Sequence, residues 1–360
     1  MIKEEIKSKQ IRALFIALLP LTKLITAPAV FSGYCQEKLW QPLLILFVFD
    51  LLLLLLLLYA QKKKGDLTFF EILTKNFSAN FAKVIYFIYA LFFLAKAVIP
   101  LVEQKELIEN AFYETLPQAP IFFPLFIVIF YISIKGFKPL ARLCDFCLWI
   151  TLIGLTLILF LSLPASDFKN LLPIFYFSNK NAPICALNAL SWFSDGVYFL
   201  FFLGCFKRKK GDNIKTVLSF SAVYLIVLAF FVVFYAIFSY IAPTQEIALT
   251  SMSLFGVTLV NVGRFDYIAL FLLALSSAVA VSLPVVLATH CLTIAVNVKS
   301  KTLPAIICVS ALFLVTILFS SHYEELLSFV TKYLTPLFIL GGYILPLLCL
   351  GGKKIEVQTG

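Results

Sequence analysis

One acidic side chain lies in the middle of a long apolar run. Asp195 is flanked by Ser194 and Gly196, 12 residues from Pro183 and 12 from Lys207. At about 1.5 Å per helical residue, its carboxylate is roughly 18 Å from either end of the run, near the middle of a bilayer. A carboxylate at that depth is costly unless it is paired or hydrated, and glycine weakens a helix. These residues predict an interrupted membrane helix that lines a polar cavity.

Three more ionisable side chains lie deep in apolar runs: Lys23, Asp50 and Lys96. Their depths, counted along a helix from the nearest end, are roughly 12–20 Å. Two cations and two anions at overlapping depth can pair, which lowers the cost that each would bear alone. Together with Asp195 they predict a buried charge network. Two interpretations stay open: contact with a zwitterionic substrate or a coupled proton, and a structural ion-pair network that holds helices together.

The composition indicates an integral membrane protein in a lipid bilayer. Of 360 residues, 62% are hydrophobic and 13% are charged, and the mean hydropathy is +1.00. The net charge of +10 comes from short Lys/Arg clusters between apolar runs, a pattern of membrane topology and not of nucleic-acid binding. The sequence has no P-loop, G-x-S-x-G or H-E-x-x-H motif, and its eight cysteines are scattered. No enzyme, metal site or cofactor is predicted.

Ten apolar segments are each long enough to cross a bilayer as an α-helix. Lys and Arg in alternate loops outnumber those in the other loops by roughly three to one, which predicts that both termini are cytoplasmic. The whole chain, 1–360, is predicted to be one transmembrane domain. The predicted spans are residues 11–33, 41–60, 79–101, 120–135, 143–163, 183–206, 216–241, 266–296, 303–320 and 333–351.

Ten spans can divide into two five-helix repeats, residues 11–163 and 183–351. The first and sixth spans then run in opposite directions, and both carry helix-weakening residues at mid-depth, as in inverted-repeat transporters. Freed amides and carbonyls at such interruptions can bind a polar substrate. Ser276 and Ser277 on the eighth span could line the cavity, or could bond to their own helix carbonyls. The predicted substrate-binding residues are Thr22, Lys23, Thr26, Ser191, Trp192, Ser194, Asp195 and Gly196.

The connecting segments give three further predictions. Residues 67–77 have an amphipathic pattern typical of a short helix at the membrane interface. Residues 243–262 are predicted to hold a short cap over the outer mouth. The loop predicted after the third span is acidic, with Glu103, Glu106, Glu109 and Glu114.

Several motifs together resemble the GerAB-type spore germination permeases, the B subunits of nutrient germinant receptors. Residues 163–175 resemble the LP-x-x-D-x-x-NLLPI loop that follows the fifth helix in that family. Residues 136–142, the stretch 192–204 with its basic tail, the N-x-GR-x-D motif at 261–266 and residues 318–345 also fit. The resemblance covers nearly the whole chain.

This family is similar to the amino acid–polyamine–organocation transporters. The resemblance therefore implies a ten-helix inverted repeat of the LeuT type, with an amino acid or similar small nutrient bound near the breaks in helices one and six. It also implies partner A and C subunits in the inner spore membrane. Three functions stay open: a germinant-sensing permease-like subunit, an amino-acid transporter coupled to protons or to exchange, and a structural scaffold. The chain departs from the family's G-x-G by having Lys23, whose ammonium could occupy a cation's place or pair with Asp50 or Asp195.

Overall fold

The fold is helical throughout the residues that the structure, a computed structural model, describes: 6–65, 67–112, 118–172, 180–206, 211–255, 266–319 and 322–351. Every regular element in these ranges is a helix, which confirms the all-α prediction. The α-helices are α1 Ser8–Leu18, α2 Ala27–Cys35, α3 Trp40–Lys64, α4 Phe69–Asn76, α5 Ala79–Phe112, α6 Gln118–Lys135, α7 Phe137–Ser162, α8 Ala182–Asn188, α9 Tyr198–Phe202, α10 Asp212–Phe238, α11 Ala248–Phe255, α12 Asp266–Val296, α13 Thr302–Leu318, α14 Tyr323–Tyr333 and α15 Thr335–Ile339.

All ten predicted spans have a helical counterpart. Among the described residues, six helical segments are long and apolar enough to cross a membrane, and two bent pairs raise the number to eight if each pair is one span. The bent pairs are the first span, with 60° between its halves, and the last, with 55°. The shorter apolar helices Phe123–Lys135 and Thr302–Leu318 coincide with the fourth and ninth predicted spans.

Local sequence explains where these helices begin and end. α3 is a leucine-rich run that favours helix, and its last turn carries three lysines, which interact favourably with the negative end of the helix dipole. Gly65 then adopts a φ of 69°, a conformation that glycine adopts easily. In the short predicted helix, Thr68 and Glu71 form a capping box at the start of α4, so the helix itself is confirmed.

The first span is interrupted between α1 and α2. A 3-10 turn at Leu21–Lys23 follows α1, and α2 begins only at Ala27, with Pro28 in its first turn. Proline lacks an amide hydrogen, so it fits the first turn of a helix better than its interior. The interruption therefore lies at the predicted position.

The sixth span is interrupted between α8 and α9, which confirms the second predicted break. 3-10 turns at Ala189–Ser191 and Asp195–Val197 flank it. Ser194 has a φ of 59°, a left-handed conformation that costs about 1–2 kcal/mol outside glycine. A Cβ atom on Gly196 would lie 2.9 Å from the Asp50 carbonyl oxygen, so glycine here permits the close approach of α3.

Two predicted loops are helical instead. α5 continues past residue 101 to Phe112, so the prediction that Glu103, Glu106 and Glu109 lie in an outer loop was wrong. α14 likewise covers Glu324 and Glu325. Both segments carry charges that resemble a loop in sequence. On α5, however, Glu103 is fully buried and Lys105 pairs with Glu106 and Glu109 on its own helix.

α5 and α12 form the centre of the helix packing around the two interruptions. α12 packs against α5, α6, α7 and α13, while α1 packs against α7 and α10. α3 contacts α10 and the turn that leads into α9. In the predicted cap region, α11 packs on α7 and α12. This arrangement brings α3, α5 and α10 against the two breaks.

Candidate functional site

The two interruptions are joined by an ion pair. Lys23 Nζ, from the first break, lies 2.6 Å from Oδ2 of Asp195, in the second break. Lys96 Nζ, from α5, lies 3.4 Å from Oδ1 of the same carboxylate. All three side chains are at most 3% exposed. The sequence left open whether Lys23 pairs with Asp50 or Asp195, and it pairs with Asp195.

Each lysine also binds a carbonyl that a break leaves without a helical partner. Lys23 Nζ donates to the Leu19 carbonyl oxygen at 2.7 Å, at the end of α1, and Lys96 Nζ donates to the Phe193 carbonyl oxygen after α8. Carbonyls at the C-terminal end of a helix lack partners and carry partial negative charge. The two ammonium groups therefore stabilise the carbonyl ends of both first half-helices.

Asp50 joins this cluster through hydrogen bonds. Its Oδ2 accepts from the Asp195 backbone N–H at 2.9 Å and from the Tyr224 hydroxyl at 2.5 Å, and its Oδ1 accepts from the Tyr343 hydroxyl at 3.0 Å. Within the described part of the chain, no ion pair includes Asp50. The predicted network of four charges thus consists of one ion-paired triad and one carboxylate linked to it by a backbone amide.

Glu103 links the two interruptions a second time. Its Oε1 accepts from the Thr26 hydroxyl of the first break and from Trp192 Nε1, at 2.7 Å, of the second. Sequence reasoning missed this residue because it was assigned to a loop. Glu103 follows Lys96 by seven residues, two helical turns, so a longer α5 would have placed both on one face. Tyr224 and Tyr343 were also missed, and no spacing signal distinguished them in the sequence.

The remaining predicted residues lie around these contacts. The Thr22 hydroxyl donates to the Leu19 carbonyl at 3.1 Å, and the Ser194 hydroxyl donates to the Leu190 carbonyl at 3.1 Å. The Ser277 hydroxyl is placed to donate to the Ala274 carbonyl oxygen of its own helix and to Gln104 Oε1 of α5. It therefore contacts both its own helix and a neighbouring one. The buried hydroxyls of Ser191 and Ser276 have no hydrogen-bond partner among the described residues.

An aromatic layer separates the charges from a cavity toward the end of the bundle that is predicted to be cytoplasmic. The layer is formed by Phe93, Tyr198 and Phe201. The Phe93 ring stacks on Tyr198 with centroids 5.8 Å apart and contacts Phe201 at 5.1 Å, while Lys96 Nζ lies 5.5 Å from the Tyr198 centroid. Phe201 also lines a cavity of about 650 Å³. Other cavity-lining residues are Tyr86, Phe137, His290, Asn297, Lys299 and Lys301.

Comparison of the sequence with known protein families identifies the family of this chain. A family model described as "Spore germination protein" matches residues 5–327. The chain belongs to this spore germination permease family. No curated protein sequence matches it. Family membership confirms the resemblance inferred from the motifs.

Solved structures of transporters have the same fold. One is a manganese transporter of Eremococcus coleocola in complex with an aromatic bis-isothiourea substituted compound, with 12% identity, coverage of 97% of this chain and 82% of that chain, and a TM-score of 0.56. Another is a Na⁺-coupled sialic acid symporter in a substrate-bound outward-open state, with 12% identity, coverage of 95% and 80%, and a TM-score of 0.58. At this identity the likeness shows the fold, which is of the LeuT type, and it confirms that prediction. The chain is a permease-like integral membrane protein.

Parts of four motifs that carried the resemblance lie outside the described residues. They are residues 173–175 at the end of the NLLPI loop, 207–210 in the basic tail, 261–265 in the N-x-GR-x-D motif, and 320–321 in the stretch 318–345. The ends of the predicted spans at residues 206, 266 and 351 adjoin such gaps, and the end at residue 320 lies in one.

Proposed function

We propose that the chain is the permease-like subunit of a spore germinant receptor, and that it binds an amino acid or a similar small nutrient at the two interruptions. The observation that carries the proposal is the buried Lys23–Asp195 ion pair, which joins the two breaks. Ligand binding here would bias the balance between outward-open and occluded conformations. Partner subunits would read that change. The chain acts by binding and conformational change and catalyses no reaction.

The chemistry of the pair favours a zwitterion. A ligand carboxylate can replace Asp195 beside Lys23, and a ligand ammonium can replace Lys23 beside Asp195. The exchange keeps the net buried charge constant, whereas an ion of one sign would leave a buried charge uncompensated. Glu103 and Trp192 lie next to the same breaks and supply a carboxylate and an indole N–H. An amino acid therefore fits the charges better than a neutral sugar or a simple anion.

A second candidate is an amino-acid transporter, proton-coupled or an exchanger. The cavity beyond the aromatic layer favours it, because a transported ligand needs a second exit. The solved neighbours are a manganese transporter and a sialic acid symporter, so the fold serves transport in other proteins. Uptake of labelled amino acids into proteoliposomes distinguishes the two candidates: the transporter accumulates its ligand, whereas a pure sensor binds it without uptake.

We also propose A and C receptor subunits as partners and residence in the inner spore membrane, which family membership supports. The Lys/Arg asymmetry of the loops supports the proposal that both termini are cytoplasmic. Co-expression with the A and C subunits of one spore former, followed by affinity purification of the tagged chain, tests the partnership. Recovery of the tagged chain without either subunit would contradict it.

Ligand-induced thermal stabilisation tests the binding site, since a ligand that binds only the folded state raises stability. The purified protein is screened against a panel of amino acids. Thr26→Val should weaken the ligand affinity by at least about tenfold, because it removes the hydrogen bond from the Thr26 hydroxyl to Glu103 at the site. Thr151→Val is the matched control, since this buried hydroxyl binds the Ala17 carbonyl elsewhere, at 3.0 Å. A folded protein that no amino acid stabilises, or equal responses of the two variants, would refute the proposal.

A further inference from the structure

The ammonium of Lys96 is surrounded by oxygen atoms of the second break. Nζ lies 3.5 Å from the Ser191 carbonyl oxygen, 3.3 Å from Ser194 Oγ and 3.4 Å from Asp195 Oδ1, and it also binds the Phe193 carbonyl oxygen. All four oxygens come from one short segment between α8 and α9. Lys96 itself comes from another helix, α5, and is 3% exposed.

This set of oxygens is the kind that binds hard cations. Backbone carbonyls, a hydroxyl and a carboxylate are typical ligands of such ions. Interrupted membrane helices supply these groups because unwinding releases their carbonyls. Without a positive charge at this point, the carbonyls of the break and the Asp195 carboxylate would lose a buried partner, which is costly in a low-dielectric environment.

We propose that Lys96 is a tethered cation, whose ammonium fills an oxygen-lined cation site at the break between α8 and α9. The occluded conformation then needs no free metal ion at this position. Truncation of the side chain should uncover a site for a small monovalent cation. A corollary rests on the proposed function: nutrient binding by the unaltered chain is independent of sodium. The stability test below needs no nutrient, so its failure is distinguishable from failure of the proposed function.

Lys96 is the better of the two buried lysines for this test. Lys23 lies in the first break and binds the Leu19 carbonyl oxygen of that same break. Truncating Lys23 would therefore also alter the break whose carbonyl oxygen it binds. Truncating Lys96 leaves the second break intact. Lys96→Ala removes the Cγ–Cδ–Cε–Nζ arm, which has the composition of n-propylammonium.

The experiment compares thermal unfolding of purified Lys96→Ala in choline, sodium and n-propylammonium chloride at equal ionic strength. We expect lower stability in choline and a saturable recovery with sodium or n-propylammonium. At a cation concentration ten times its Kd, the folded-to-unfolded ratio should rise about 11-fold. The unaltered protein should show no difference among the three salts. Lys105→Ala is the matched control, because this lysine of the same helix pairs with Glu106 and Glu109 and should show no cation-specific recovery.

Lys96→Met is the second variant. Methionine fills much of the space without charge, so we expect a protein that is less stable than wild type and equally stable in all three salts. If Lys96→Ala does not survive extraction, Lys96→Met decides: loss of stability supports the proposal. Wild-type stability of Lys96→Met, or a Lys96→Ala response to cations no larger than that of Lys105→Ala, would overturn it.

Discussion

The carboxylate of Asp195 is the most consequential single group to remove, because two ammonium groups share it. At an effective dielectric constant of about 20, attraction across 2.6 Å is about 6 kcal/mol for Lys23, and across 3.4 Å it is about 5 kcal/mol for Lys96. Desolvation of three buried charges and repulsion between the lysines offset much of this. Breaking a buried pair by removing one partner costs about 3–5 kcal/mol. We therefore expect Asp195→Asn to lower the free energy of unfolding by about 3–5 kcal/mol.

Denaturant and thermal unfolding in detergent measure this change. Glu37→Gln is the control, because the partly exposed Glu37–Lys38 pair, at 3.7 Å, should contribute at most about 1 kcal/mol. Lys23→Met should be destabilising alone and less so in the Asp195→Asn background, since it then removes an uncompensated charge. The double-variant cycle should give a coupling of about 0.5–3 kcal/mol. Asp195→Asn within about 0.5 kcal/mol of wild type, together with additive effects in the cycle, would refute the reasoning.

Two further substitutions test the packing and the hydrogen bonding of the second break. Gly196→Ala should lower the free energy of unfolding by about 1–3 kcal/mol, because the new methyl group would lie 2.9 Å from a backbone oxygen of α3. Gly33→Ala, where the nearest atom is 3.8 Å away, is the control in thermal unfolding. Trp192→Phe should lower the free energy of unfolding by about 1.5–3 kcal/mol, because it removes an N–H that donates to the buried Glu103 carboxylate. Trp149→Phe is the control and should have little effect, because Trp149 is 66% exposed. Equal losses of stability for the two tryptophan variants would contradict the assigned hydrogen bond.

The sequence was sufficient for the depth of the charges and for the two interruptions. Asp195 beside Gly196, and the run from Pro20 to Pro28, are costly in continuous membrane helices. The pairing partners were not predictable for a physical reason. A span such as α3 is apolar on every face, so its sequence does not indicate which face packs against the other helices. The depth of Asp50 in the membrane could therefore be predicted, but the helices that it faces could not. Its partners Tyr224 and Tyr343 became known only from the structure.

Glu103 illustrates the opposite error, in which real charges were taken as a helix end. Hydropathy falls at the end of the third predicted span, since four charged residues, Glu103, Lys105, Glu106 and Glu109, lie within seven positions. In the structure the helix continues, and Lys105 neutralises its neighbours on the same helix. A helical periodicity check over residues 96–112 would have placed Glu103 two turns from Lys96. If the third span had been predicted to extend to Phe112, Glu103 would have joined the four buried charges in the predicted site.

The internal charges also constrain how a ligand can act on this protein. Lys23 and Lys96 already bind the carbonyl ends of both breaks, and Asp50 already accepts from the Asp195 amide, so these buried groups have partners within the chain. A ligand shifts a conformational equilibrium only by its differential affinity for the two states. Under the proposed function, the ligand would therefore exchange with an existing ion pair, and a zwitterion can do so without leaving a buried charge uncompensated. Phe201 belongs both to the aromatic layer and to the lining of the 650 Å³ cavity, so a movement of its ring would bring the cavity closer to the charges.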